Sequence, residues 1–344
     1  MSAAPTMNAV RVERPGEMSM VELERPRPGP GEVLVRVAAA GICGSDVELL
    51  RGTRPAPYVR YPIVPGHEWA GEVAELGPGA TSVRPGDRVV AEGFRACGSC
   101  DRCKEGRTNL CSAEYAETGF THAGAFAEYV LVPARLLHIL PADANLSAAA
   151  LLEPAACVAQ GLLEAELRPG LRVAVVGAGT LGLIAVAMLS LVSPAELALI
   201  GTRPDRLALG RELGCTGAFD IKSGDPVEAF GEDFDLVFEA ANQPEGAQTA
   251  LRLARRGATV VLEGISGVEQ PSLVNDLLPL KHLRVQGIFG ASGAAWRFAV
   301  RLFSDRKVEF GRLVTHRFPL DEHERAFAAL QDRSAAVLKV QLVP

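Results

Sequence analysis

Four cysteines lie close together at Cys97, Cys100, Cys103 and Cys111, with the spacing C-x2-C-x2-C-x7-C. Four thiolates at such short spacing are typical of a closed, tetrahedral zinc site that stabilises a fold. An iron–sulfur cluster is the alternative that four cysteine thiolates also allow. The total of seven cysteines is odd. Because no export signal is visible near Met1, we expect a reducing, cytoplasmic compartment rather than a disulfide framework.

A second set of potential metal ligands is dispersed along the chain. It comprises Cys43 with Ser45 beside it, His67 with Glu68, and later Glu153. Three ligands of mixed sulfur, nitrogen and oxygen type leave zinc one open position, as a catalytic zinc requires. Spacing alone does not join these residues. Cys43 taken singly is equally interpretable as a buried core thiol, and His67 as a loop histidine.

A glycine-rich turn, Gly177-Ala-Gly179-Thr180-Leu181-Gly182, fits the pattern G-x-G-x-x-G between an apolar strand and a helix. Gly177 allows the tight turn, Gly179 lets a pyrophosphate approach the backbone, and Gly182 lets helix and strand pack closely. The helix N-terminus that follows supplies amides and partial positive charge. The pattern predicts a dinucleotide site; the alternative is a glycine-rich turn with no ligand.

The end of the next strand indicates which dinucleotide is bound. Gly201 or Thr202 stands where an NAD site usually carries Asp or Glu for the ribose 2′-hydroxyl, and Arg203 follows. Without the carboxylate, nothing there repels a 2′-phosphate, and Arg203 assisted by Thr202 can donate charge-assisted hydrogen bonds to it. We predict NADP in preference to NAD, with NAD as the second option. A solvated Arg203 without a ligand is the alternative. Asp205 is expected in the first turn of the following helix.

The chain has two parts with different sequence patterns. Short apolar runs between Pro/Gly clusters fill the sequence to about residue 150 and predict an irregular β-barrel-like domain. From Pro169 onward, strand-like and helix-like runs alternate, which predicts a doubly wound parallel sheet. The predicted strands of the second part are Arg172–Gly177, Leu197–Gly201, Phe234–Glu239, Ala258–Glu263 and Leu283–Phe289. Its predicted helices are Thr180–Leu191, Pro204–Leu213, Pro244–Arg255 and Ser272–Lys281. Beyond it we predict a helix over Asp321–Leu330 and a strand over Val337–Val343.

The bulk properties restrict the function class. A chain of 344 residues favours two domains, and the net charge of −6 argues against a nucleic-acid or anionic-membrane surface. The window Val173–Val192 carries no charged residue and has the length of a spanning helix. Because glycines interrupt it, we interpret it as a strand, a turn and a buried helix rather than a membrane span.

Taken together, the motifs resemble the zinc-containing medium-chain dehydrogenases along nearly the whole chain. The stretch Gly66-His67-Glu68-x-x-Gly71-x5-Gly77-x-x-Ala80 is similar to the zinc signature of that family. The four-cysteine segment, Pro85-Gly86-Asp87-Arg88-Val89 and the glycine turn follow in the family's order. Cys-Gly-Ser-Asp with a later Glu-Pro resembles the sorbitol, threonine and aminocyclitol dehydrogenase branch.

The resemblance implies an α/β fold, with a GroES-like irregular β-barrel catalytic domain over residues 1–155, a Rossmann domain over 156–292 and a return to the catalytic domain over 293–344. It implies a catalytic zinc held by Cys43, His67 and Glu153, with Glu68 in or near the ligand shell. Ser45 would pass on the proton of the alcohol. Glu48 stands where many relatives carry a histidine that moves this proton outward, which leaves the outer proton path open.

We therefore expect an oxidoreductase that transfers a hydride between a secondary alcohol of polyol, sugar or aminocyclitol type and NADP, with two zinc ions per chain. Its partners would be the small-molecule alcohol and ketone, in a homo-oligomer (dimer or tetramer) that binds neither nucleic acid nor membrane. The substrate loops contain Tyr58, Tyr61, Glu117 and His122, which suit a polyhydroxylated substrate. Two alternatives stand: a catalytically silent nucleotide-binding relative, and a zinc-free quinone reductase, whose members lack the cysteine segment.

Overall fold

The computed structural model describes residues 5–265, 273–332 and 336–344. The chain divides into two compact units. The first unit contains Met1–Glu153 together with Ala291–Pro344, and the second contains Pro154–Gly290. Each unit has its own sheet and its own apolar core.

The first unit is built around a seven-stranded, mostly antiparallel sheet. Its longest strand lies at the centre and is buried along almost its whole length, which explains its run of valine and alanine. A separate antiparallel pair, the first two strands, lies beside this sheet. The elements of this part are β1 (Thr6–Arg14), β2 (Glu17–Glu24), β3 (Glu32–Ile42), α1 (Gly44–Arg51), β4 (Glu68–Leu76), β5 (Arg88–Ala91), α2 (Asp101–Lys104), β6 (Tyr129–Pro133), β7 (Leu137–Ile139), α3 (Leu146–Ala149) and α4 (Leu152–Glu164), the last of which runs into the second unit.

The second unit contains a six-stranded, all-parallel sheet with the strand order β10-β9-β8-β11-β12-β13. From β8 the chain adds β9 and β10 on one side and then crosses back to add β11, β12 and β13 on the other side. The strand order therefore reverses between β8 and β11, the point at which open α/β sheets bind ligands. The elements are β8 (Arg172–Val176), α5 (Thr180–Ser190), β9 (Glu196–Gly201), α6 (Pro204–Glu212), β10 (Gly217–Asp220), α7 (Pro226–Phe230), β11 (Phe234–Glu239), α8 (Pro244–Leu253), β12 (Ala254–Leu262), α9 (Leu277–Lys281) and β13 (Arg284–Gly287).

The last segment completes the first unit. Its final strand pairs antiparallel with β3 and parallel with the strand before it, so the strand predicted over Val337–Val343 belongs to the sheet of the first unit. The elements are α10 (Gly293–Ser304), β14 (Val314–Pro319), α11 (His323–Gln331) and β15 (Lys339–Val343).

The predicted doubly wound sheet is confirmed, and the uncharged window Val173–Val192 is a strand, a turn and a helix. Residues Gly182 to Leu189 of α5 are buried all round, which accounts for the missing charges without a membrane. No helix in the described ranges is long and apolar enough to cross a bilayer.

One predicted helix end was wrong. Helix α8 ends at Leu253 and β12 begins at Ala254, so the prediction Pro244–Arg255 was too long and the strand start at Ala258 too late. The buried Lys281 donates to the carbonyl oxygens of Leu251, Arg252 and Ala254 at 3.2, 2.7 and 2.9 Å. A distant ammonium group thus satisfies carbonyls at this helix terminus, and local sequence does not reveal it.

Other differences are smaller. The predicted helix Ser272–Lys281 has only its last part, Leu277–Lys281, in helical form, and Ser272 lies outside the described residues. The short elements β10 and α7 and the longer helix α10 were not predicted. Each of the two short elements has at most five residues, too few for hydrophobic periodicity to be visible.

Candidate metal centres and nucleotide turn

The register of two strands brings Cys43 and His67 together. Cys43 follows the end of β3 and His67 precedes the start of β4, and the antiparallel pairing of these strands sets Gly41 opposite Glu68. Ligand atoms of Cys43, His67 and Glu68 lie within 4.8 Å of one another. His67 and Glu68 are buried and Cys43 is half-buried. Sheet pairing therefore supplies the proximity that the spacing in the sequence does not show.

Asp46, the last residue of the Cys-Gly-Ser-Asp motif, lies against both Cys43 and His67. Its carboxylate is fully buried; Oδ2 accepts a hydrogen bond from the Cys43 backbone N–H at 2.8 Å, and Oδ1 lies 3.4 Å from His67 Nδ1. The signal was present in the sequence, since Asp46 is the third residue of α1 after the N-cap Cys43, the position from which an acidic side chain reaches back to the cap.

The charge around His67 suits a divalent cation. Burial alone would lower the pKa of His67, but Asp46, Cys43 and Glu153 oppose burial and hold the pKa well above its ordinary value. Asp46 Oδ1 and His67 Nδ1 are buried and have no hydrogen-bond partner among the described residues. A buried cluster of thiol, imidazole and carboxyl groups with this excess of negative charge has the donor set that zinc prefers.

Glu68 is held by a lysine from the far end of the chain. Lys339 Nζ in β15 donates to Glu68 Oε1 at 2.8 Å and to Oε2 at 2.6 Å, and both side chains are buried. β15 pairs with β3, so the last strand delivers this ammonium group beside Cys43. The Lys339 ammonium group therefore balances the negative charge of Glu68 at the site. Nothing in the sequence pattern marks Lys339, which is 271 positions from Glu68.

Glu153 and Ser45 complete the surroundings. Glu153 lies in the first turn of α4 and interacts electrostatically with His67, but it is not in the group of described residues whose ligand atoms lie within 4.8 Å. Burial raises the pKa of Glu153 to about 7, and the neighbouring His67 partly opposes this rise. Ser45 Oγ lies 4.0 Å from Cys43 Sγ, and Glu48 is half-buried in the same helix.

The four-cysteine segment gathers its sulfur atoms into one cluster within 4.8 Å. Cys97 Sγ lies 3.9 Å from Cys103 Sγ, and Cys100 Sγ lies 3.9 Å from Cys111 Sγ. Zn–S bonds of about 2.3 Å in a tetrahedron separate the sulfurs by about 3.8 Å, whereas a disulfide needs about 2.05 Å. The cysteines are free, and the spacing of their sulfur atoms fits a tetrahedral metal ion.

The pKa values of these thiols point the same way. Hydrogen bonds from the backbone of Ser112 and Cys103 lower the pKa of Cys100 to about 5, which favours the thiolate form of this sulfur. Burial raises the pKa of Cys103 to about 12. A cation bound at this cluster would favour the thiolate form of Cys103.

In the second unit, the glycine turn connects β8 to α5 at the carboxyl edge of the sheet. Gly177 has φ +112°, and a Cβ there would lie 2.6 Å from the Ala240 carbonyl oxygen. A Cβ on Gly182 would lie 1.8 Å from the Gly177 oxygen, whereas a Cβ on Gly179 would meet nothing within 4 Å. The first and last glycines are thus required by packing, and Gly179 faces open space at the start of the helix. Thr180 and Leu181 form its first turn.

The end of β9 carries Arg203 in an ion pair. Arg203 Nε and Nη2 lie 3.2 and 3.3 Å from the two carboxylate oxygens of Asp205, which is in the first turn of α6 as expected. Thr202 is exposed. Gly201 is buried, and a Cβ there would lie 2.6 Å from Ala178 Cβ, so Thr202 is the position that can accept an acidic side chain.

Comparison with known proteins identifies the family. The model of the alcohol dehydrogenase GroES-like domain matches residues 29–142, and the model of the zinc-binding dehydrogenases matches residues 180–305. An L-threonine 3-dehydrogenase of Bacillus velezensis is 34% identical over 336 residues, which cover 95% of each chain. The chain belongs to the zinc-containing medium-chain alcohol/polyol dehydrogenases. The predicted GroES-like and Rossmann architecture is thereby confirmed.

A second relative is similar in sequence, and a solved structure is similar in both sequence and fold. A sorbitol dehydrogenase of Halalkalibacterium halodurans is 31% identical, with 96% of each chain covered. A zinc-binding dehydrogenase of Sinorhizobium meliloti, solved bound to NADP, is 32% identical and superposes with a TM-score of 0.92 over 99% of this chain and 100% of its own. The protein is thus a zinc-type oxidoreductase that uses a nicotinamide cofactor.

Proposed function

We propose that this dehydrogenase interconverts a secondary alcohol and its ketone at a zinc ion held by Cys43, His67 and Glu153, with NADP as the favoured cofactor. The observation that carries the proposal is the convergence of ligand atoms of Cys43, His67 and Glu68 within 4.8 Å. Burial opposes a charged His67, but Asp46, Cys43 and Glu153 hold its pKa high. The substrate class we infer is a polyol, sugar or aminocyclitol, which the sorbitol dehydrogenase relative supports. The L-threonine 3-dehydrogenase relative supports a secondary alcohol in general.

The chemistry divides between the bound groups and the chain. When bound, zinc would supply Lewis acidity at the substrate hydroxyl and the nicotinamide would supply the hydride acceptor. Ser45 Oγ, 4.0 Å from Cys43 Sγ, relays the hydroxyl proton, which it accepts as it releases its own proton toward solvent. Asp46 fixes Cys43 and His67, and Lys339 compensates the charge of Glu68. The cysteines at 97, 100, 103 and 111 hold a second, structural zinc, giving two per chain in a protein that we place in the cytoplasm.

Neutralising Asp46 tests this arrangement at the site. Asp46→Asn keeps the shape but removes the charge beside His67, so kcat/KM should fall about 10–100-fold, as is usual for partners of metal ligands. Asp143→Asn is the control, because it neutralises an exposed aspartate of the same unit. Steady-state kinetics and zinc analysis of both variants give the answer, and an Asp46→Asn enzyme with wild-type kcat/KM and zinc affinity would contradict the assignment.

The cofactor preference rests on Arg203 and the missing acid before it. A charge-assisted hydrogen bond to a 2′-phosphate contributes about 1.5–3 kcal/mol, or one to two decades in relative affinity. Arg203→Ala should therefore lose NADP efficiency by about 10–100-fold with little change for NAD. Thr202→Asp should shift the preference toward NAD, since its position is exposed and can hold the acid.

The Asp205 carboxylate competes with the phosphate for Arg203, so Asp205→Asn should strengthen NADP binding. We would measure kcat/KM for both cofactors in all these variants. A wild type that favours NAD, or an Arg203→Ala variant that weakens both cofactors equally, would overturn the NADP proposal.

We also propose that the protein is a homo-oligomer that associates through the outer edge of β13. All four residues of this edge strand are exposed, and among the described residues no strand pairs with its outer side. Leu280, Val285 and Phe289 are 71%, 40% and 40% exposed, and an unpaired edge strand is prone to pair with another chain. Light scattering should give a multiple of 36.4 kDa, and Val285→Lys should reduce it to the monomer; a monomeric wild type would contradict this.

A further inference from the structure

Two segments of the first unit meet beside His67, and an arginine and a phenylalanine connect them. The Arg54 guanidinium lies over the Phe120 ring, 3.7 Å from its centroid. The Phe120 ring lies 4.6 Å from the His67 ring, centroid to centroid, with the two planes inclined at 37°. Phe120 is 2% exposed and therefore cannot move without displacing its neighbours. It contacts the arginine and the histidine together.

Arg54 is fixed from several directions. Its Nε donates to the Tyr58 carbonyl oxygen at 3.0 Å, and its Nη2 donates to the Tyr115 hydroxyl at 3.1 Å. The Tyr115 hydroxyl in turn donates to the Glu117 carboxylate, which lies 3.7 Å from Arg54 Nη2. The side chains of Arg54 and Glu117 are only 11% and 8% exposed. The sequence predicts Glu117 as a residue that suits a polyhydroxylated substrate, but in the structure its carboxylate interacts with Tyr115 and Arg54.

A buried ion pair of this kind needs an explanation other than stability. Removing two charges from water costs about as much as their attraction returns, and apolar side chains would often fill the same space at least as well. A planar guanidinium held by hydrogen bonds and stacked on a ring does, however, define one arrangement of its neighbours. Here that arrangement includes the Phe120 ring and, packed against it, the imidazole of His67.

The neighbouring Arg60 provides an internal comparison. Arg60 forms an ion pair with Glu114, so it joins the same two segments of the chain. Its side chain is 55% exposed and that of Glu114 is 81% exposed. Among the described residues, the cation that stacks on Phe120 is Arg54 and not Arg60. The Arg60 backbone N–H donates to the Phe120 carbonyl oxygen at 3.0 Å, a contact that a side-chain substitution leaves in place. The Arg60 side chain therefore shares the location and the charge of Arg54 without stacking on the Phe120 ring.

We propose that Arg54 is a positioning residue for the catalytic metal: through Phe120 it fixes the plane of the His67 imidazole. The inference rests on the proposed function, in which His67 is a zinc ligand. The orientation of a ligating imidazole controls metal geometry, and small displacements of a reacting group cost large factors in rate. Arg54 acts without touching the substrate, so its loss should change kcat rather than the binding of cofactor.

The test compares Arg54→Met with Arg60→Met in the full-length enzyme carrying Co²⁺ at the catalytic site. The visible absorption of Co²⁺ reports ligand geometry independently of turnover. Arg54→Met should shift this absorption and lower kcat of the zinc enzyme by about 10–100-fold, with the KM for cofactor unchanged. Arg60→Met should match the wild type in both measurements. Phe120→Leu should reproduce the effects of Arg54→Met, and the double variant should be no worse than Phe120→Leu alone.

A wild-type Co²⁺ spectrum and kcat in Arg54→Met, with only the melting temperature lowered, would show a merely structural role and overturn the proposal. Additive effects in the double variant would overturn it as well. If Arg54→Met does not fold, Tyr115→Phe removes only one hydroxyl to which Arg54 donates; an unchanged Co²⁺ spectrum there counts against the proposal, and a shifted one supports it. A wild type that binds no Co²⁺ at His67 would instead contradict the proposed function itself.

Discussion

Cys43→Ala and His67→Ala should each leave less than about one percent of the wild-type kcat, the largest effect that we expect from any single substitution in this chain. Changes to the partners of metal ligands already cost about 10–100-fold, and a lost ligand should cost more. Both residues lie in the first unit, whereas the glycine turn lies in the second. The variants should therefore still fold and bind dinucleotide.

Measured kcat, zinc content and nucleotide affinity separate these effects. Cys157→Ala is the matched control, since it removes a thiol from α4 in the second unit and should leave kcat unchanged. Either ligand variant with more than about one percent of wild-type kcat would remove Cys43 or His67 from the catalytic zinc site.

Cys103→Ser should act on stability and not on chemistry. A closed four-thiolate site contributes folding free energy directly, and one lost ligand weakens the metal held by the other three. A loss of at least about 3 kcal/mol would lower the melting temperature by about 6–12 °C in a unit of this size. The damage should reach α10, because the Gly293 backbone N–H at its start donates to Thr108 Oγ1 at 3.1 Å, beside Cys111.

Thermal unfolding and zinc analysis of Cys103→Ser, with Cys157→Ser as control, test this expectation. The variant should hold about one zinc fewer than the wild type, with kcat nearly unchanged at low temperature. Full zinc content together with an unchanged melting temperature would show that the four cysteines are not a structural zinc site.

Local motifs carried the sequence predictions that succeeded. The glycine turn could be placed between a strand and a helix because two of its glycines, Gly177 and Gly182, answer short-range packing needs. The four cysteines cluster because they lie within one short segment. The capping position of Asp46 is a local signal of the same kind, but the position alone does not indicate a contact with His67.

Long-range contacts account for what the sequence did not show. Lys281 at the end of α8 and Lys339 against Glu68 are each brought to their partners by tertiary packing, with no spacing rule to reveal them. Arg54 likewise reaches Phe120 across two loops. Gly201 was one of two positions considered for the absent acid, and only the close approach of Ala178 shows that Thr202 is the accessible one.

Zinc content measured together with zinc-dependent turnover tests the central claim most directly. The purified wild type should contain about two zinc ions per chain, and a chelator that removes the more labile ion should abolish oxidation of secondary alcohols until Zn²⁺ is restored. Cys43→Ala should retain about one zinc ion and stay inactive. A zinc-free chain that still turns over, or a fully loaded chain that oxidises no alcohol in a panel of polyols, sugars, aminocyclitols and simple secondary alcohols with either cofactor, would contradict the account.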